Sequence, residues 1–336
     1  MRSTLTAIGL CLAAALPAAA AEVNVYSARH YDADLTLHEA FTRETGIAVN
    51  LIEGSGEELL ERVRAEGASS PADVFITVDG GRLHQLVEAD LLSPVESATL
   101  TERVPAAYRH PEGLWFGLTT RARVIFYDKT RGAPEWLDDY EDLADPRLGG
   151  EVCIRTSSNI YNVSLMAELV DALGEESATE WAKGLAANLA RPPQGGDRDQ
   201  IRAVAAGECL VGVANTYYWG ALKASENPED RAAADAVGII FPNQGNRGTH
   251  VNLSGAGVLK TAPNPENAIR FIEFLTSDAA QVVLADSNNE YPVVATVTPT
   301  GPIAAHADFR PSGVNAELFG TNAAKATEIY DRAGMP

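Results

Sequence analysis

Apolar and polar residues follow two periods along this chain, and the periods alternate. VNVYS (23–27) has the period-two pattern of a strand, and Asp32–Thr45 then places Leu35, Leu37, Ala40 and Phe41 at roughly helical spacing before Gly46. IAVNLIEG (47–54) is a second strand, the stretch from Gly56–Glu58 to Glu66 a helix, DVFITV (73–78) a third strand, and Arg82–Ala89 a further helix. Strands separated by single helices predict a parallel sheet covered on both faces. WFGLTTRARVIFYD (115–128) is a long β-rich segment, after which the alternation resumes. Strands are expected at 151–156, 210–215, 237–243 and 250–259. Helices are expected at 163–173, 181–188, 201–206 and 265–276, a loop at 191–200, and a last helix within 316–333. Two successive α/β units predict two lobes, with ligand beyond the carboxyl ends of the strands.

Composition narrows the function. The chain has 336 residues, and its formal charge of -20 comes from 46 acidic against 26 basic side chains. Such a surface disfavours nucleic acid and anionic membranes, both of which are held by basic patches. Residues 1–21 have the form of a cleaved secretory signal: Arg2, an apolar run from Leu5 to Leu16, and the small residues Ala18–Ala21. Cys11 lies inside the apolar run and follows Leu10, which does not suit lipid attachment. The mature protein is therefore expected to be soluble and exported. Cys153 and Cys209 are its only thiols, each beginning an apolar strand-like run, so an oxidising compartment permits a disulfide between them. Two separate buried thiols are the other reading.

No catalytic pattern emerges. GxSxG and HExxH are absent, and the six histidines at 30, 38, 84, 110, 250 and 306 are scattered. GSGEEL (54–59) lacks the lysine of a phosphate loop and fits a glycine turn in which Ser55 caps a helix. Tyrosine is more informative. Tyr31 follows His30 after the first strand, Tyr161 follows the strand at 151–156, and Tyr217 and Tyr218 follow the strand at 210–215. Strand ends on one side of a sheet share a cleft. Phenolate is a hard anionic donor that a trivalent cation can hold deprotonated, so His30, Tyr31, Tyr161, Tyr217 and Tyr218 would suit ferric iron, with a nearby arginine offsetting excess negative charge. The same aromatics could instead bind a small organic ligand, a carboxylate or a sugar, or simply pack.

Several motifs together resemble the ferric iron-binding proteins of bacterial ABC importers. They are VYSARHYDAD (25–34), ETGIAVN (44–50), PADVFIT (71–77), GLTTRARVIFYD (117–128), NTYYWG (215–220) and NLSGAGVLKTAPNPENAIRFIEFLTS (252–277). The resemblance implies an α/β fold of the type II periplasmic binding protein kind, with two α/β lobes joined by two hinge strands. The N-terminal lobe is expected at 22–120 plus 250–297 and the C-terminal lobe at 121–249 plus 298–336. The chain is expected to cross between lobes near 119–123 and 248–252. It further implies a periplasmic, non-enzymatic monomer that carries Fe(3+) to a permease in the inner membrane, with no nucleic-acid partner. The family's tyrosine pair falls on Tyr217 and Tyr218, and its cleft histidine on His30. The glutamate that ligates iron in one branch is replaced by Val78 or, in a shifted alignment, Asp79. The chain is instead similar to the tyrosine-rich, cyanobacterial-type branch, in which Tyr31 and Tyr161 match two further ligands. TSSNIY departs from the small-residue loop that holds a synergistic anion in other members, so no obligatory anion is expected. Arg121 matches a family arginine near the cleft.

Overall fold

The computed structural model describes residues 21–29 and 32–335. The expected leader, apart from Ala21, lies outside the described residues, as do His30 and Tyr31. The first unit runs β1 (Glu22–Ser27), α1 (Asp32–Thr45), β2 (Ala48–Glu53), α2 (Gly56–Glu66), β3 (Val74–Val78), α3 (Gly80–Glu88) and α4 (Ala98–Arg103). Then come β4 (Phe116–Asp128), β5 (Val152–Cys153), α5 (Ile160–Leu173), α6 (Glu175–Ala187), α7 (Asp197–Ala205), β6 (Val211–Asn215) and α8 (Thr216–Lys223). The chain continues through α9 (Pro228–Ala236), β7 (Val237–Ile240), β8 (Val251–Val258), α10 (Pro265–Leu275), α11 (Asp278–Asn288), β9 (Tyr291–Pro292), α12 (Glu317–Thr321) and α13 (Ala323–Arg332).

β1 pairs in parallel with β2 and with β3, as the alternating pattern predicts. β8 adds antiparallel to β3, and β4 pairs antiparallel with β8. β4 then continues into a second set of pairings, with β6 and β7, while β5 and β6 are parallel. One 13-residue strand thus serves both sheet regions, its pairing changing from β8 to β6 between Ala122 and Arg123.

Each region is covered on both faces, and the pleat assigns the side chains. Val23, Val25, Val74 and Ile76 pack with Phe41, Phe271 and Ile272, whereas Tyr26 and Phe75 turn the other way toward Leu59, Leu83 and Trp115. Beyond the crossing, Ile125 and Val213 join Leu165 and Trp181, while Val124, Phe126 and Ala214 join Ile201 and Trp219. The last segment packs on both units: Ala316 and Phe319 lie in the cluster that holds Leu83 and Trp115, and Ile329 and Tyr330 lie in the cluster that holds Leu165. Ser55 does cap α2: its Oγ accepts from the Glu58 N–H at 3.2 Å, and the Glu58 carboxylate accepts from the Ser55 N–H at 2.9 Å.

Several local expectations change. The strand expected over 151–156 shrinks to Val152–Cys153, because the chain leaves the sheet to begin α5. α7 starts at Asp197, inside the stretch expected to be a loop, and Asp199 closes its first turn by accepting from the Gly196 N–H at 2.7 Å. The single terminal helix is two, α12 and α13. Cys153 and Cys209 are joined as a disulfide, with Cα atoms 5.9 Å apart. Among the described residues no helix is long and apolar enough to cross a membrane.

Candidate metal centre

Two helix starts hold the tyrosines. α5 begins after Asn159, whose side chain accepts from the Tyr161 N–H at 3.1 Å and sets Tyr161 in the first turn. β6 is buried throughout and passes directly into α8, so Tyr217 and Tyr218 also occupy a first turn. The run Thr216–Trp219 is β-favouring by composition, which is why it reads as a strand end rather than a helix start.

The Tyr161 and Tyr217 hydroxyls are 3.2 Å apart. The rings of Tyr217 and Tyr218 lie with centroids 4.1 Å apart, and the Tyr218 phenol interacts with both of the others. Burial pushes the Tyr218 phenol up from its ordinary value, and the charges of Tyr161 and Asp197 push it further. The three phenols face a cavity of about 420 Å³. Ala28, Arg29 and Val78, from the ends of β1 and β3, form the wall across from them with Ser287–Asn289 at the end of α11. The site therefore lies beyond the carboxyl ends of strands from both sheet regions.

Arginines surround the rings. The Arg121 guanidinium carbon is 5.9 Å from the centre of the Tyr161 ring, that of Arg155 is 5.5 Å from it, and that of Arg198 is 5.9 Å from the centre of the Tyr218 ring. Arg121 is buried, donates from Nη1 to Ser254 Oγ at 3.0 Å and stands 3.7 Å from Glu290. Burial alone would favour its neutral form. Glu290, Tyr161 and Tyr217 outweigh that and hold the guanidinium above its ordinary range. Glu290 also accepts from Thr119 Oγ1 at 2.7 Å and from Arg29 Nη1 at 3.3 Å. Arg29 and Arg198 line the cavity, while Asp34, Glu290 and Asp197 pair with Arg29, Arg121 and Arg155 around it.

Of the residues singled out from the sequence, the structure brings Tyr161, Tyr217 and Tyr218 together over Arg121, while His30 and Tyr31 lie outside the described residues. Val78 lines the cavity. Asp79 does not offer a free carboxylate: Oδ1 accepts from the Gly81 N–H at 2.9 Å and Ser164 Oγ at 2.7 Å, and Oδ2 accepts from Asn252 Nδ2 at 2.9 Å. Arg155, Arg198, Asn288 and Asn289 escaped the sequence reading. Arg198 sits in the glycine- and proline-rich stretch that read as a loop, and no spacing marks the other three. Among the described residues no three His, Cys, Asp or Glu side chains are grouped to hold a metal.

The comparisons agree with this architecture. A family model described as bacterial extracellular solute-binding protein matches residues 69–309. Iron uptake protein A1 of Synechocystis is 53% identical over 313 residues, spanning 93% of this chain and 87% of that protein. The major ferric iron-binding protein of Neisseria meningitidis serogroup B is 31% identical over 335 residues, spanning 96% and 97% respectively. The solved structure of Trichodesmium FutA (IdiA) in complex with iron and citrate superposes with a TM-score of 0.92 at 51% identity, covering 94% of this chain and all of that one (100%). The fold is that of a type II periplasmic binding protein, two α/β lobes joined by hinge strands with a cleft between them.

Proposed function

The chain belongs to the bacterial extracellular solute-binding protein family, and from that premise we propose that it captures ferric iron as phenolate complexes of Tyr161, Tyr217 and Tyr218 and delivers it to an ABC permease. The observation that carries this reading is the convergence of three phenols ringed by Arg121, Arg155 and Arg198. Phenols meeting at hydrogen-bond distance beside guanidinium groups are placed to ionise together once a trivalent cation replaces their protons. Three phenolates neutralise Fe(3+), a fourth leaves the complex at about -1, and the arginines offset that excess. We assign Tyr31 as the fourth phenolate and His30 as a fifth, neutral donor. The greater identity to the Synechocystis protein than to the Neisseria protein supports the tyrosine-rich form of the site.

The N-terminal lobe in this reading is 22–120 plus 250–297, the C-terminal lobe is 121–249 plus 298–336, and their closure shields the iron. The leader at 1–21 directs the chain to the periplasm, where it works as a monomer and performs no covalent chemistry. The test is a visible absorption spectrum of the mature protein with one equivalent of a ferric chelate. An orange to red phenolate-to-iron band is expected, and Tyr217→Phe and Tyr218→Phe should each weaken it. A colourless complex with stoichiometric iron would overturn tyrosinate ligation and leave these aromatics to an organic ligand.

A further inference from the structure

Arg123 and Asp197 form an ion pair at 3.1 Å in which neither side chain is more than 1% exposed. Packing alone does not favour such a pair, because apolar residues of similar volume fill an interior at no desolvation cost. What distinguishes it is where its remaining bonds go. Arg123 lies opposite Asn215 in the β4–β6 ladder, and its Nη1 also donates to Asn215 Oδ1 at 3.0 Å, two residues before Tyr217. Its Nη2 donates to Asn162 Oδ1 at 2.6 Å, one residue after Tyr161. Asn162 in turn donates from Nδ2 to the carbonyls of Arg155 and Thr156 at 2.9 and 3.0 Å, which closes the turn leading into α5. Asp197 spans the same gap from the other side. Its Oδ2 accepts from the Asn215 N–H at 2.8 Å, and its Oδ1 accepts from Arg155 Nη1 at 3.2 Å.

We propose that the Arg123–Asp197 pair is a positioning device that sets the distance and angle between Tyr161 and the Tyr217–Tyr218 pair. Resting on the ferric-phenolate reading above, the inference adds which buried groups give that site its geometry. Tyr161 enters from α5 and Tyr217 from α8, and no backbone ladder joins those two helix starts. A rigid guanidinium fork bonded to both flanking asparagines, and a carboxylate bonded to both flanking segments, supply the missing tie. Groups that orient metal ligands in this way typically change metal affinity by about 10- to 100-fold when removed.

The test is the double variant Arg123→Met/Asp197→Leu, which removes both charges so that neither is left buried alone. Its melting temperature, ferric affinity by competition with a chelator, and visible band are compared with those of the wild type. A melting temperature within a few degrees of wild type, with affinity reduced at least about tenfold and a displaced or weakened band, supports the proposal. Wild-type affinity and an unchanged band in the folded double variant overturn it while leaving tyrosinate ligation intact. A wild-type protein that develops no band overturns both readings at once. Should the double variant fail to fold, Asn162→Ala leaves the ion pair in place and removes the Arg123 Nη2 bond on the Tyr161 side together with the two bonds to the Arg155 and Thr156 carbonyls. The same loss of affinity and change of band are expected, and their absence overturns the proposal.

Discussion

At the scale of single residues, the Tyr218 phenol favours its protonated form. Tyr218 is pushed up by burial and by neighbouring negative charge. If Tyr218 ligates iron as proposed, its proton must leave as iron enters. About four protons should be released per ferric ion in weakly buffered solution near pH 7 if Tyr31, Tyr161, Tyr217 and Tyr218 all ligate as phenolates. Tyr161→Phe should release one fewer, measured against the same ferric chelate, and an unchanged proton count would remove Tyr161 from the shell. Because bound phenolates recapture protons in acid, ferric affinity should fall as pH is lowered. Asp79 illustrates the opposite fate of a residue near the site. At φ 80 it adopts a backbone conformation rarely taken by a non-glycine residue, held by bonds that reach α3, α5 and β8. Its carboxylate is used in joining elements.

At the scale of elements, a disulfide ties two neighbouring strand segments and a glycine lets two helices meet. The disulfide joins Cys153, the last residue of β5, to Cys209, two residues before β6 begins. Replacing both cysteines by serine should lower unfolding free energy by about 2–4 kcal/mol, read from the urea midpoint. The second contact is α3 against α12. A Cβ on Gly80 would lie 2.6 Å from the Ala316 carbonyl oxygen, so glycine is what permits the approach. His84 Nδ1 meets Glu317 Oε1 across the junction, and Trp115 Nε1 donates to Glu317 Oε2 at 3.0 Å. The hydrogen bond to Glu317 raises His84 above its ordinary 6.5 despite partial burial. Burial opposes ionisation of Glu317, but His84 and Trp115 prevail and lower it. Histidine is thus more readily protonated in the folded chain than in the unfolded one. The stabilisation is full below pH about 6.5, as long as Glu317 remains ionised, and is lost as pH rises through the folded value. The melting-temperature gap between wild type and Glu317→Gln should accordingly be larger at pH 6 than at pH 9, and an equal gap at both would contradict the pairing. Solvent screening at this half-exposed junction limits the pH-dependent part to roughly 1 kcal/mol or less.

At the scale of the whole molecule, charge is distributed against its own average. The chain carries -20 overall, yet Arg29 and Arg198 line the cavity and Arg121 and Arg155 stand beside the Tyr161 ring, with Asp34, Glu290 and Asp197 balancing part of their charge. That segregation favours a metal complex whose ligands are anionic. Ferric iron bound between the lobes should stabilise both together. At about a thousand times Kd the gain is ~4 kcal/mol. For a chain of this size that corresponds to a rise in melting temperature of about 6 °C. Differential scanning calorimetry with and without ferric chelate checks this, and a rise that persists in Tyr217→Phe/Tyr218→Phe would point to binding elsewhere.

Much of this architecture is local in origin. The β1–α1–β2–α2–β3–α3 order was legible because apolar periodicity is a property of neighbouring residues, and the motif set carried the resemblance to ferric iron-binding proteins. The capping of α2 by Ser55 and Glu58 was equally local. The starts of α7 and α8 were not, since loop-like or β-favouring residues there were drawn into helices by contacts distant in sequence. Arg155 and Arg198 were also hidden, because they share no spacing and reach the tyrosine rings only once α5 and α7 are packed, whereas the resemblance had placed Arg121 near the cleft. The sequence by itself determined the alternation of elements, the candidate tyrosines and the family. Tertiary structure alone decided that Tyr161 meets Tyr217 and Tyr218 and that Asp79 is consumed by the fold. It also decided that a buried ion pair ties two tyrosine-bearing segments together. Periodicity is encoded within a few residues, whereas a binding site is a coincidence of side chains that only the folded backbone brings within reach.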